Sequence, residues 1–265
     1  MDRLDGLAGY LAHLGWDCSD VDIVNKDLPG ESMARHDLSS DAHWQQIHSD
    51  MQKNCYAAVF MGTPCETASR ARTGPPGPRP LRSAEHIYGL PKSQLSAQEW
   101  DQVQLGTYFA LKSAQTAELA STLSIPWAIE NPDPTGNPVS LYNLPEWKAL
   151  LDIPGTKFID FHQCPMGAET AKPTRILYWG CDMSQLAGKC DHPPQWWNFS
   201  DFKNQPKSVW SPHPPLVGRK RDNSFASKAS AAYPATMNWR IAQALVNGKA
   251  LDPFCRPFPR EAETH

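Results

Sequence analysis

Residues 57–65 read Ala-Ala-Val-Phe-Met-Gly-Thr-Pro-Cys, and residues 125–132 read Ile-Pro-Trp-Ala-Ile-Glu-Asn-Pro. Each is a short apolar run closed by turn-forming residues, the pattern of a buried strand. Between them, Ala97 to Leu123 is long enough for several helical turns. It carries a stripe of small residues, Gly106, Ala110, Ala114 and Ala117. Small side chains at that spacing suit a helix lying close on a sheet. Strand, helix and strand in this order predict an α/β fold with a largely parallel sheet.

The flanks extend the alternation. Asp5 to Leu14 reads as a short helix stopped by Gly15, and Asp20 to Val24 as a short strand. Asp41 to Lys53 is predicted helical, with Trp44, Ile47 and Met51 on one face. Thr156 to Phe161 and Thr174 to Trp179 are two further strands, and Ala232 to Leu245 a closing helix. Residues 181–228 break the pattern, being rich in Pro, Trp, Cys and His with little periodicity. The expected organisation is a core over 1–180, a small irregular insert over 181–228, a closing helix over 229–252 and a tail over 253–265.

Composition narrows the class. The chain has 265 residues, 40% of them hydrophobic. Its mean hydropathy is -0.52. Proline is the outlier: 25 residues, about 9% against an ordinary ~5%, which excludes an all-helical bundle. No apolar run approaches the ~20 residues of a membrane span, so no membrane partner is expected. Met1-Asp2-Arg3-Leu4-Asp5 lacks the basic start and apolar run of a secretory signal. Seven cysteines without such a signal are expected to be reduced. The expected location is intracellular: nuclear in a eukaryote, otherwise cytoplasmic.

Net charge is -3, but it is unevenly spread. Residues 1–50 hold ten acids and three bases, residues 65–92 five bases and two acids, and residues 203–228 six bases and one acid. An acidic body with two basic loop regions can present a one-sided footprint to a polyanion.

Ligands of open α/β sheets sit at the carboxyl ends of strands. Two such ends are chemically loaded here. Cys65 follows a strand on a Pro-stiffened turn, a place for a nucleophile. Glu130 ends the neighbouring strand, where burial can tune a carboxylate for proton transfer. Taken singly, a buried Cys and a strand-ending turn are the simpler readings of these residues.

Taken in order, the motifs resemble the C5-cytosine DNA methyltransferases, in the divergent form of phage and mobile-element members. Pro64-Cys65 resembles the family's nucleophile motif, and Glu130-Asn131 the carboxylate at the next strand end. Asp20-Val-Asp22-Ile resembles the acidic site for the ribose of S-adenosylmethionine. His36-Asp37-Leu38 resembles the segment that reads its adenine. Gln163, Gly167 and Lys172-Pro173-Thr174-Arg175-Ile176 resemble the eighth motif. Ala231-Ala232-Tyr233-Pro234-Ala235-Thr236-Met237-Asn238 resembles the tenth, which folds back onto the cofactor pocket. The resemblance covers roughly residues 2–250.

This resemblance implies a Rossmann-like class I methyltransferase sheet, mostly parallel. It implies S-adenosylmethionine as cofactor and DNA, with a flipped or single-stranded cytosine, as partner. It assigns Cys65 as the nucleophile at C6, Glu130 as the N3 partner, and Gln163 and Arg175 to supporting roles. Asp22, Asp37, Leu38, Gly62, Pro64 and Asn238 would meet the cofactor. Arg70, Arg72, Arg79 and Arg82 would meet phosphates from a proline-rich loop over 70–82. The family's first strand and Gly-rich loop have no counterpart, since the sequence opens on what resembles the following helix. A degenerate nucleic-acid-binding domain is therefore the alternative, and methylation of RNA cytosine a further one.

Two features of the insert stand apart. Cys181, Cys190, His192 and His213 have zinc-binding chemistry. Cys190-Asp191-His192 is too tight for the usual Cys-x2-Cys pattern, and loop residues without metal are the simpler reading. Trp196, Trp197 and Trp210 could stack on bases, although packing within the insert is the simpler use.

Overall fold

The computed structural model of the chain describes residues 6–21, 37–72, 77–203, 208–214 and 216–250. Two short helices come first, α1 (Leu7–His13) and α2 (Asp41–Gln52). Strand β1 (Val59–Gly62) leads through the 63–72 turn to the long helix α3 (Ala97–Thr122). Strand β2 (Trp127–Pro132) is followed by a short helix α4 (Pro145–Ala149). Strands β3 (Lys157–His162) and β4 (Pro173–Trp179) complete the main sheet. A separate antiparallel ribbon, β5 (Gln195–Asn198) with β6 (Ser208–Ser211), precedes helix α5 (Ala235–Ala250).

The main sheet runs in the order β1-β2-β4-β3. Among the described residues only β1 and β2 are parallel; β4 is antiparallel to both β2 and β3. The fold is thus α/β with a mixed sheet, which corrects the expectation of a mostly parallel one. Chain length explains the difference. A parallel pair needs a crossover of about a dozen residues or more. Between His162 and Pro173 lie only residues 163–172, including Gly167 at φ 100°. The chain therefore turns back on itself, and β4 enters in reverse.

Period-two alternation distributes the core. Trp127 and Ile129 of β2 face a cluster with Leu177 and the α3 alanines, Ala110, Ala114 and Ala117. Ala128 faces the opposite cluster with Ile176, Tyr178, Met237 and Ile241. Helix α3 thus covers one face and α5 the other. The N-terminus of α3 is fixed by a capping box. Ser96 accepts from the Glu99 backbone N–H, and the Glu99 carboxylate takes the Ser96 N–H. Trp239 of α5 packs against Tyr10 and His13, which joins α1 to the α5 side.

The predicted elements at 5–14, 41–53, 57–61, 97–123, 125–129, 156–161, 174–179 and 232–245 all have counterparts within a few residues. The predicted strand at 20–24 falls largely on undescribed residues, as does the tail. The insert is more ordered than its composition suggests, since its residues 195–198 and 208–211 form the β5–β6 ribbon with Trp196 opposite Trp210.

Candidate functional site

The parallel pairing sets Gly62 opposite Glu130, so the turn after β1 meets the end of β2. That turn is fastened from two sides. The Thr63 and Ser113 hydroxyls lie 2.7 Å apart, which ties it to α3. The Asn131 side chain donates to Thr63 O at 2.8 Å. Beyond them, Ala68 N–H closes on Cys65 O at 3.0 Å. Cys65 is half-buried on this braced turn.

Glu130 is 7% exposed. The Tyr233 hydroxyl donates to its Oε2 at 2.6 Å, while its Oε1 is buried with no hydrogen-bond partner. Burial pushes the Glu130 carboxyl above its ordinary value, against the opposing pull of Lys172 and the Tyr233 hydrogen bond. Burial, together with the Glu130 and Glu66 charges, pushes the Cys65 thiol up to about 12; Lys172 pulls the other way. Lys172 therefore acts on both groups. Its ammonium donates to Ser230 O at 2.7 Å and lies 5.3 Å from the centre of the Tyr233 ring.

Gln163 is buried and donates to the Thr174 hydroxyl at 2.9 Å. It lines a cleft of about 390 Å³ between core and insert. Tyr233, Phe199, Trp197 and Lys220 contribute to the same cleft.

Arg175 does not join this group. Alternation along β4 places Thr174 and Ile176 on the α5 side and turns Arg175 the other way. Its guanidinium grips Asp160 at 2.6 and 2.7 Å and stacks 4.0 Å from the Phe158 ring centre. Asp160 raises its already high pKa further. Arg175 thus faces away from Glu130, and the cation that acts on Glu130 and Cys65 is Lys172.

The expected cofactor contacts are dispersed among other tasks. Asp22 lies outside the described residues. The Asp37 carboxylate is occupied by the N–H and hydroxyl of Ser39, which also hold its pKa below the ordinary range. Leu38 O accepts from the Trp44 indole at 2.7 Å. Asn238 is buried on α5. Gly62 and Pro64 are exposed at the end of β1, but a Cβ on Gly62 would already meet the Tyr233 hydroxyl at 3.0 Å. Among the described residues these positions are therefore spread over separate contacts, and Asp22, the expected ribose partner, lies outside them.

The arginine loop is corrected at one position and qualified at two. Arg82 is 2% exposed and donates to Thr67 Oγ1, Ile87 O and Thr107 Oγ1. It is an internal strut and presents nothing to a phosphate. Arg79 is paired with Glu99 at 2.6 Å. Arg72 donates to Glu66 O and Arg79 O. Arg70 is exposed and reaches Thr135 O at 3.4 Å.

The insert also departs from expectation. Cys190, His192 and His213 converge, but Cys181 is absent from their group and Cys164 takes its place. Burial and the Asp182 charge push the Cys181 thiol up to about 12 in a separate apolar setting. Trp196 and Trp210 are 63% and 64% exposed and pair at 6.1 Å, so they do not pack inside the insert. Trp197 is half-buried and donates to Ser211 O.

Three residues important to these sites were not singled out by the sequence reading: Tyr233, Lys172 and Cys164. Tyr233 and Lys172 lie inside quoted motifs, and a Tyr-Pro opening a helix is a usable signal, because a buried phenol seeks a partner. No protein-family model, curated protein or solved structure matches the chain.

Proposed function

We propose that this chain is a C5-cytosine methyltransferase-like protein whose own residues activate the cytosine ring of DNA. The observation that carries the reading is Glu130: a buried carboxyl whose pKa burial raises, with one oxygen held by Tyr233 and the other without a hydrogen-bond partner, beside the Cys65 thiol. A buried polar atom left open in this way marks the place of a ligand atom.

In this reading a cytosine enters the cleft, removed from any duplex stack. The protonated Glu130 carboxyl donates to ring N3 and stabilises the charge that develops there. The Cys65 sulfur forms a bond to C6 as the C5–C6 π pair shifts onto C5, conjugated through C4 to N3, making C5 nucleophilic. The Lys172 ammonium favours the thiolate this step needs. S-adenosylmethionine would supply an electrophilic methyl group. Once C5 carried the methyl, its proton would pass to water, and the freed electron pair would re-form the C5–C6 double bond and expel the Cys65 sulfur as thiolate.

One observation favours the alternative of a non-catalytic nucleic-acid-binding domain. With its thiol near 12, Cys65 is protonated in the free chain. Two measurements separate the readings. Label from tritiated S-adenosylmethionine is expected in cytosine-containing DNA, and none with Cys65→Ala; label that persists in the variant refutes the mechanism. Calorimetry that detects no cofactor binding even at millimolar concentration supports the binding domain. Label entering RNA in preference to DNA would reassign the substrate.

A further inference from the structure

We propose that Cys164, Cys190, His192 and His213 bind one zinc ion that fastens the insert to the core. Their four donor atoms lie within 4.8 Å of one another. A tetrahedral site with Zn–S about 2.3 Å and Zn–N about 2.0–2.1 Å has donor–donor edges of roughly 3.3–3.8 Å. The Cys190 sulfur stands 3.1 Å from His213 Nε2 and 3.6 Å from His192 Nδ1. The set is therefore near coordination geometry already.

The donors come from three separate parts of the chain. Cys164 opens the single turn Cys164–Met166 after β3 and is buried. Cys190 and His192 lie in the approach to β5, and His213 just beyond β6. Two thiols and two imidazoles brought together from such distances make little sense as a packing unit. They are the donor set that soft, tetrahedral zinc prefers. Four protein donors leave no open position, which makes the site structural.

The surroundings already orient the ligands. His213 Nδ1 lies 2.8 Å from Glu169 O, and a proton on that nitrogen leaves Nε2 free to face the cluster. Cys190 N–H donates to His162 Nδ1 at 3.0 Å, and His162 N–H to Gly188 O at 2.8 Å. These bonds lay the 188–190 segment along the end of β3. The ion would thus pin the end of the β5–β6 ribbon where β5 starts and β6 stops, and the ribbon lines the Gln163 cleft through Trp197 and Asn198.

The test uses the full chain, purified without chelator from zinc-supplemented medium. Metal analysis is expected to give about one zinc per chain. Cobalt(II) exchanged into the same chain is expected to show the intense visible absorption of a tetrahedral ion and a thiolate charge-transfer band. Removing the metal with chelator should open residues 188–214 to protease before the main sheet. Cys190→Ser and His213→Ala should lose the metal, whereas Cys181→Ser should keep it. Because the wild-type chain carries the main readouts, a misfolded variant leaves the test intact. A wild-type chain without zinc, an octahedral cobalt spectrum, a Cys164–Cys190 disulfide in the fresh protein, or loss of zinc in a folded Cys181→Ser chain each overturns the proposal.

Discussion

Replacing Arg82 by Ala should unfold this protein more readily without touching nucleic-acid contacts. The guanidinium is buried at 2% exposure. It donates to Thr67 Oγ1 at 2.9 and 3.1 Å, to Ile87 O at 2.7 Å and to Thr107 Oγ1 at 3.0 Å. Its partners are carbonyls and hydroxyls, and burial alone pulls its pKa down to about 10. Removing it deprives Thr67 Oγ1 and Ile87 O of a charged donor, at about 1–3 kcal/mol for each buried acceptor left unmet. With the lost packing of the aliphatic stem, the expected cost is about 3–5 kcal/mol. For a urea slope of about 1–3 kcal/mol per molar, the unfolding midpoint falls by about 1 M or more. Gly106→Ala is the companion. Its Cβ would stand 2.8 Å from Thr67 Oγ1 and 3.5 Å from the guanidinium, so it should destabilise despite the helix preference for Ala. Equilibrium urea unfolding followed by circular dichroism measures both. An Arg82→Ala chain within about 0.5 kcal/mol of wild type, the range of ordinary surface substitutions, refutes the strut. So does a variant of unchanged stability that weakens DNA binding and flattens its salt dependence.

Two further perturbations probe the Glu130 centre. Gly62→Ala places a methyl 3.0 Å from the Tyr233 hydroxyl, so it should displace that donor from Glu130 and lower methyl transfer more than it lowers the unfolding midpoint; equal activity in a folded variant contradicts the arrangement. Glu130→Gln should change how stability depends on pH. The Glu130 pKa is raised in the folded chain, so the native state holds this proton more tightly than the unfolded state does. The wild type therefore loses stability as pH rises above the ordinary carboxylate range, and the variant is spared that loss. Urea unfolding of both chains between about pH 5 and 8 should show Gln gaining on Glu as pH rises; a difference that stays flat or runs the other way removes the buried-acid reading.

Much of the scaffold was legible in the residues themselves. The α3 stripe of Gly106, Ala110, Ala114 and Ala117 announced a helix pressed on a sheet, and all four are buried there. The β1 and β2 runs announced two strands, and their parallel register brings the Cys65 turn to Glu130. These readings succeed because apolar periodicity and turn chemistry are local properties, stated within a few neighbouring positions.

Strand direction and side-chain facing were another matter. Residues 163–172 were too short for a parallel crossover, but only the pairing of β4 between β2 and β3 shows where the reversed strand goes. That placement points Arg175 at Asp160 and leaves the Glu130 side to Lys172 and Tyr233. Motif spacing cannot distinguish Arg82 from Arg70, although one is a buried strut and the other lies at the surface. It also paired Cys181 with the insert cysteine and histidines, when the residue that lies with them is Cys164 from the core. The sequence by itself determined which segments are strands and helices and which residue types could do chemistry, because those follow from local pattern. Which of those residues meet was decided by tertiary structure alone, because contacts between distant segments depend on strand order, strand direction and the face each side chain takes.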